Sequence, residues 1–205
     1  MKIIDINTWN RKQHFEHFSS LADPYFGLVI PFNVTKAYHF AKEKGISFFA
    51  TYLHACMRAI NEVDNLKYRI ENGNVVQYDV IHASSTIMRA DKTIAFSFID
   101  YSENLGVFLD NLEAEKYRIK NSNDLFPPKN GLDCVHCSAL PWLNFIGHKE
   151  PVSGQLECVP KIAFSKVTEV DNGLTINVAI NVNHALVDGY HVGLFSEKFQ
   201  QYLNQ

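Results

Sequence analysis

Asn181-Val182-Asn183-His184-Ala185-Leu186-Val187-Asp188-Gly189-Tyr190-His191 closes an alternating run that begins at Leu174. Apolar side chains at 174, 176, 178, 180 and 182 alternate with smaller or polar ones, a period of two that predicts a strand with one buried face. His184 falls at the end of that strand, Asp188 follows four residues later, and Gly189 marks a break before a helical pattern. Free imidazole titrates near pH 6.5, about the range needed to take a proton at neutral pH. A histidine at a strand end with a carboxylate just beyond it is therefore a candidate general base. It is also, more ordinarily, a satisfied polar pair. The string H-x-x-x-D-G is too short to decide between the two.

Working outward, the rest of the chain mixes helices with hairpins. A short strand is expected at residues 3–6. A helix follows over about 9–21, with Thr8 as its N-cap and Trp9, Phe15, Phe18 and Leu21 on its apolar face. Residues 25–32 read as a second strand. Asn33 then caps a helix that turns Val34, Ala37, Phe40 and Ala41 inward and stops at Gly45. Ser47 opens a helix apolar on all sides, which must be buried, and His54 within it reads as a hydrogen-bonded core histidine. Asn72-Gly73 is a strong hairpin signal between strands at 67–70 and 75–78. Strands at 84–88 and 94–98 join through Asp91-Lys92, an amphipathic helix occupies about 104–119, and a loop surrounds Pro127-Pro128. Further strands are expected near 135–139 and over 162–170, and Asp171-Asn172-Gly173 turns the chain into the His184 strand. A last helix carries Leu194, Phe195, Phe199, Tyr202 and Leu203 on one stripe. This irregular alternation predicts an α+β fold, a two-layer sandwich with a mixed, largely antiparallel sheet.

Composition narrows the function classes. The 205 residues suit one domain, 1–205, long enough to bury a core without metals or disulfides. With 46% hydrophobic and 13% aromatic residues the chain is not a disordered one. A net charge of −3 without long runs of one sign advertises no nucleic-acid partner. No apolar run is long enough to cross a bilayer and the N-terminus lacks a signal peptide's apolar core, so a cytoplasmic location is expected. Cys134-Val135-His136-Cys137 has the spacing of half a zinc site, but no second ligand pair accompanies it. Two buried thiols on a strand, with no metal, are the expectation.

Three stretches resemble one family. Residues 180–193 are similar to the active-site signature of the chloramphenicol acetyltransferases, two histidines followed by Ala-Val-Cys-Asp-Gly-Phe-His-Val. Asn183 stands at the first histidine and His184 at the second. Trp9-Asn10-Arg11-Lys12-Gln13-His14-Phe15-Glu16 resembles the family's Trp-x-Arg-(Arg/Lys)-x-His-Phe-Glu. Ser138-Ala139-Leu140-Pro141-Trp142-Leu143-Asn144-Phe145 resembles its Ser-Ala-x-Pro-Trp-Val-(Asn/Ser)-Phe. The three come in the family's order across nearly the whole chain.

The resemblance implies a chloramphenicol acetyltransferase-like fold and an O-acetyltransferase. Acetyl-CoA would be the co-substrate, with no bound cofactor, no metal and no covalent acyl-enzyme. The acceptor would be a hydroxyl, of chloramphenicol in the first place, which is antibiotic resistance chemistry. His184 is then the base, and Asp188 pairs with Arg11 in structural support of the site. The resemblance also implies a homotrimer with active sites between subunits. Two positions depart from it. Gly147, followed by His148, stands where the family has its oxyanion-stabilising serine, and Ala163 stands where it has a threonine that assists through water. Positions near Ala95 and Ser97 are expected to line the acceptor pocket and are small or polar. The alternatives are a dihydrolipoyl acyltransferase catalytic domain, which shares H-x-x-x-D-G, and a trimeric binding module of the same fold with impaired catalysis.

Overall fold

The computed structural model describes residues 1–151 and 157–205. Its central element is the strand announced by the alternating run, β10 (Gly173–Asn183), the longest in the protein at 11 residues. On one side it pairs antiparallel with β2 (Tyr25–Asn33) along its whole upper length, from Thr175↔Asn33 to Asn183↔Tyr25. On the other it pairs antiparallel with β8 (Lys161–Ser165). Beyond β8 the sheet continues through two parallel neighbours, β7 (Cys134–Leu140) and β5 (His82–Met88), and ends on the antiparallel β6 (Ile94–Phe96). The short β9 (Thr168–Val170) pairs with the start of β10. A separate three-stranded sheet holds β1 (Lys2–Ile3), β4 (Asn74–Gln77) and β3 (Tyr68–Glu71).

The alternation decides which face of the large sheet is covered. Ile176, Val178, Ile180 and Val182 are all buried, and the layer over them is helical. Tyr52 of α3 (Phe48–Asn61) meets Phe164 of β8 with ring centroids 4.9 Å apart. Phe199 of α5 (Gly189–Leu203) meets Phe32 of β2 at 4.7 Å. The remaining helices are α1 (Lys12–Ser19), α2 (Thr35–Lys44) and α4 (Leu105–Lys120). The opposite face of the sheet carries Asn177, Asn181, Asn183, Lys161 and His136 along neighbouring strands, as their pairing register requires. This is the two-layer α+β sandwich with a mixed, largely antiparallel sheet that the sequence predicts.

Local signals account for most boundaries. Ser47 caps α3, its hydroxyl accepting from the Ala50 N–H, and Asn104 caps α4 through Val107. Gly45 ends α2 at φ 65°, and Asn72 (φ 51°) and Gly73 (φ 79°) form the β3–β4 turn; a side chain at either glycine would be strained there. Cys134 and Cys137 are buried free thiols, three residues apart and so on opposite faces of β7. Burial pushes the Cys134 thiol up to about 12. Among the described residues no cluster of metal-ligating side chains occurs and no helix is long and apolar enough to cross a membrane.

Several expectations need correction. Thr8 does not cap α1: its hydroxyl turns back to the Asp5 carbonyl and the helix starts at Lys12. Residues 8–11 make turns instead, and Arg11 stands at the N-cap of α1, its carbonyl accepting from the Phe15 N–H and its side chain reaching Asp188, 177 residues away. The strand expected over 162–170 breaks after Ser165, and β9 is a separate short strand. Of the last helix's stripe, Phe195, Phe199 and Leu203 are fully buried together with Val192, whereas Leu194 and Tyr202 pack only partly against the core.

Candidate active site

His184 lies at the junction of β10 and α5, two elements fixed by the core beneath them. Its backbone N–H donates to the Pro24 carbonyl at 2.9 Å, which ties it to the start of β2. Its ring is sandwiched by aromatics. Phe18 of α1 stacks on it at 3.9 Å with planes 6° apart, and Phe26 of β2 sits at 4.6 Å, tilted by 48°. The imidazole is thus held in plane by apolar faces that offer it no hydrogen bond. Nδ1 lies 3.2 Å from Oδ1 of Asp188, near enough for charge attraction but out of hydrogen-bond alignment, and it has no hydrogen-bond partner among the described residues.

Asp188 ends the turn and precedes α5. Both of its oxygens accept from the Arg11 guanidinium, Oδ1 from one terminal nitrogen at 2.9 Å and Oδ2 from the other. Arg11 also donates to the His184 carbonyl at 3.2 Å. The side chain of Arg11 is 9% exposed and that of Asp188 30%. The hydrogen bonds from Arg11 hold the Asp188 carboxyl below the usual carboxylate range, against the opposing effect of burial. Arg11, distant in sequence, is therefore joined to His184 and Asp188 through one charge-assisted contact.

Asn183 is a tether. Its amide donates to the Glu157 carbonyl at 2.7 Å, and its Oδ1 accepts from the Ala185 N–H at 2.9 Å, which starts the turn that presents His184. Its neighbour on the same face, Asn181, lies over Gly27; a Cβ at that glycine would stand 2.4 Å from Asn181 Oδ1. Larger side chains at 27 would expel the amide.

On the polar face of the sheet, a cleft of about 1010 Å³ is lined by Phe96, Phe126, His136 and Lys161 among others. Lys161 is buried, and its ammonium donates to the Glu157 carboxylate and the Pro151 carbonyl, each at 2.6 Å. His136 opens onto this cleft at its rim although protein surrounds most of it. Burial, then the nearby Lys161 and Arg69 cations, holds its imidazole below the usual range. Ala95 and Ser97 do not line this cleft among the described residues: both are fully buried, and the Ser97 hydroxyl is committed to the Ser85 backbone. Strand alternation puts the residue between them, Phe96, on the cleft side.

Gly147 sits in open space. Nothing stands within 4 Å of the position a Cβ would take, and its φ is not in the left-handed region. His148 beside it has Nε2 3.5 Å from Glu150 Oε1 and a buried Nδ1 without a hydrogen-bond partner among the described residues. Ala163 is fully buried in β8, in register with Ser138 of β7 and Ala179 of β10.

Sequence reasoning had not singled out Phe18 and Phe26 as walls of His184, nor Asn183 as a tether, nor His191. The last had a signal: an N-cap residue followed three positions later by a side chain able to accept is the pattern of a capping box.

A sequence profile of the chloramphenicol acetyltransferase family matches residues 1–200. The chain is 29% identical to a chloramphenicol acetyltransferase of Bacillus pumilus over 199 residues, 96% of this chain and 90% of that one. It is 26% identical to chloramphenicol acetyltransferase 3 of Escherichia coli, over 98% and 95% of the two chains. Among solved structures, a chloramphenicol acetyltransferase superposes with a TM-score of 0.91 at 27% identity, covering 98% and 99%. A probable dihydrolipoamide acetyltransferase of Listeria monocytogenes shares the fold at a TM-score of 0.69 and 15% identity.

Proposed function

Because the chain belongs to the chloramphenicol acetyltransferase family, we propose that it moves an acetyl group from acetyl-CoA to a hydroxyl of chloramphenicol, with His184 as the general base. The observation that carries this reading is the placement of His184 Nδ1 against the Asp188 carboxylate. A negative charge 3.2 Å from Nδ1 favours the tautomer with its proton there. That leaves the Nε2 lone pair free to accept. An alcohol is a poor nucleophile until such a base takes its proton. As Nε2 removes the proton, the hydroxyl oxygen attacks the thioester carbonyl and a tetrahedral oxyanion forms. Its collapse breaks the C–S bond, and the imidazolium returns the proton to the leaving thiolate. No covalent intermediate on the protein is needed.

Arg11 and Asp188 serve this step by position. The guanidinium grips both the Asp188 carboxylate and the His184 carbonyl, so the backbone and ring of His184 are indexed to one rigid plane. Residues 1–205 act in this reading as one domain, assembled as a homotrimer with active sites between subunits. The exposed aliphatic and aromatic groups of the segment after β7, Trp142, Leu143 and Ile146, suit burial at such an interface. Gly147 and Ala163 favour a second reading, a binding module of the same fold with weakened catalysis, because an oxyanion donor is worth roughly 10²–10³ in rate.

The deciding experiment is thiol release from acetyl-CoA with a panel of alcohols that includes chloramphenicol and dihydrolipoamide, run on the wild type and His184→Ala. Turnover with chloramphenicol that falls by at least about 10²-fold in the variant is expected. A folded His184→Ala protein with near-normal kcat would remove His184 from the mechanism, and no turnover with any acceptor would favour the binding module.

A further inference from the structure

His191 is the third residue of α5, and its ring does what a glutamate or glutamine does in an ordinary capping box. The backbone N–H of Asp188 donates to His191 Nδ1 at 2.9 Å. That bond exists only if Nδ1 is bare, so His191 is the neutral tautomer with its proton on Nε2. The residue whose backbone it holds is Asp188, and the Asp188 carboxylate is occupied elsewhere, by Arg11 and by the field it exerts on His184 Nδ1. Backbone and side chain of Asp188 are thus held by different partners, His191 from below and Arg11 from the side.

We propose that His191 is a positioning residue for His184, acting through the Asp188 backbone, and that its protonation is a second, separate acid-side switch on acetyl transfer. The inference rests on the reading of His184 as the base. Protonated His191 presents N–H where Asp188 needs an acceptor, and it places a cation at the positive end of a helix. The charged groups facing it are Arg11, from the segment before α1, and Asp188, from the turn before α5; the Tyr190 ring lies 5.5 Å from its own. Burial first, then Arg11, holds the imidazole below its ordinary range, and Asp188 opposes them. In the neutral state the cap is closed. On protonation the Asp188 N–H loses its partner, the backbone of Asp188 is no longer held, and the Arg11-bound carboxylate shifts with it relative to the His184 ring.

The test uses pH profiles of kcat/KM for His191→Gln, His191→Leu and the wild type. On the acid side the logarithm of wild-type kcat/KM should fall more steeply than one per pH unit over the range in which His191 protonates, because loss of the cap adds to protonation of the base. His191→Gln supplies an acceptor that does not titrate, so its slope should be near 1. His191→Leu should lower kcat by about tenfold or more with KM for acetyl-CoA little changed, and the Gln variant should recover most of that loss. The same slope in wild type and His191→Gln, or an unchanged kcat in His191→Leu, overturns the proposal. A second readout needs no turnover: the ¹⁵N shifts of the His184 ring report which nitrogen carries the proton. They should move when His191 is replaced by Leu and stay when it is replaced by Gln. Shifts indifferent to both variants overturn the positioning role. Shifts that respond in a protein with no turnover leave the positioning link standing and defeat the acetyl-transfer reading instead.

Discussion

Removing one partner of the Arg11–Asp188 pair gives the sharpest test of how the site is held. Arg11→Met keeps the length and apolar stem of the side chain and removes its charge. Asp188 then keeps a carboxylate with no guanidinium beside it, and the His184 carbonyl loses a donor. A fully buried charge left alone costs about 3–5 kcal/mol. Asp188 is 30% exposed, so water takes part of the load and about 2–3 kcal/mol is expected from this source. The lost bond to the carbonyl adds about 1 kcal/mol. Asp188→Asn should cost less, because the amide still accepts from Arg11. The double variant has no charge left to strand, so the two effects should fall short of adding by at least about 1 kcal/mol. The assay is denaturant unfolding of the four proteins at one concentration, because the stability of any chain that self-associates depends on concentration. Additivity within about 0.5 kcal/mol would refute the coupling. The pH dependence provides an internal check. Arg11 depresses the folded-state Asp188 pKa, so the pair's contribution is present in full above the unfolded value of about 3.9. It disappears as pH falls through the folded one, and in Arg11→Met this acid loss should be absent.

Gly147→Ser should fold as well as the wild type, because its Cβ meets nothing within 4 Å and its φ is ordinary. If the oxyanion there lacks a donor, kcat rises while both KM values hold; a stable variant with unchanged or lower kcat means another group, His148 foremost, already donates. Arg69→Met should be severely destabilising, by about 3 kcal/mol or more. The buried guanidinium donates to the carbonyls of Leu66, Tyr68, Leu132 and Cys134, each worth about 1 kcal/mol net. Unfolding at matched concentration measures it, and a loss under 1 kcal/mol would show that water replaces the arginine without cost.

Most features that depend on neighbours along the chain were legible in the sequence by itself. The alternation at 174–182 set β10 and its buried face. Ser47, Asn104, Gly45 and Asn72-Gly73 set element boundaries, because caps and turns are local chemistry satisfied within a few residues. Three motifs in order were enough to bring Arg11, His184 and Asp188 forward as one site. What the chain order does not contain is where a side chain goes once the backbone is fixed. Thr8 had the residue type of a cap, yet its hydroxyl turned back to the Asp5 carbonyl and the helix began at Lys12. Phe18 had the spacing of a core residue and became a wall of the His184 ring. Ala95 and Ser97 exchanged roles with Phe96 because strand alternation gives one face to the core and the other to the cleft. Asn183 and His191 hold the backbone on either side of the site through hydrogen bonds to main-chain atoms, the Glu157 carbonyl and the N–H groups of Ala185 and Asp188. Such partners leave no mark in a sequence, because nearly every residue type offers the same backbone groups, and only the folded chain decides which of them comes within about 3 Å.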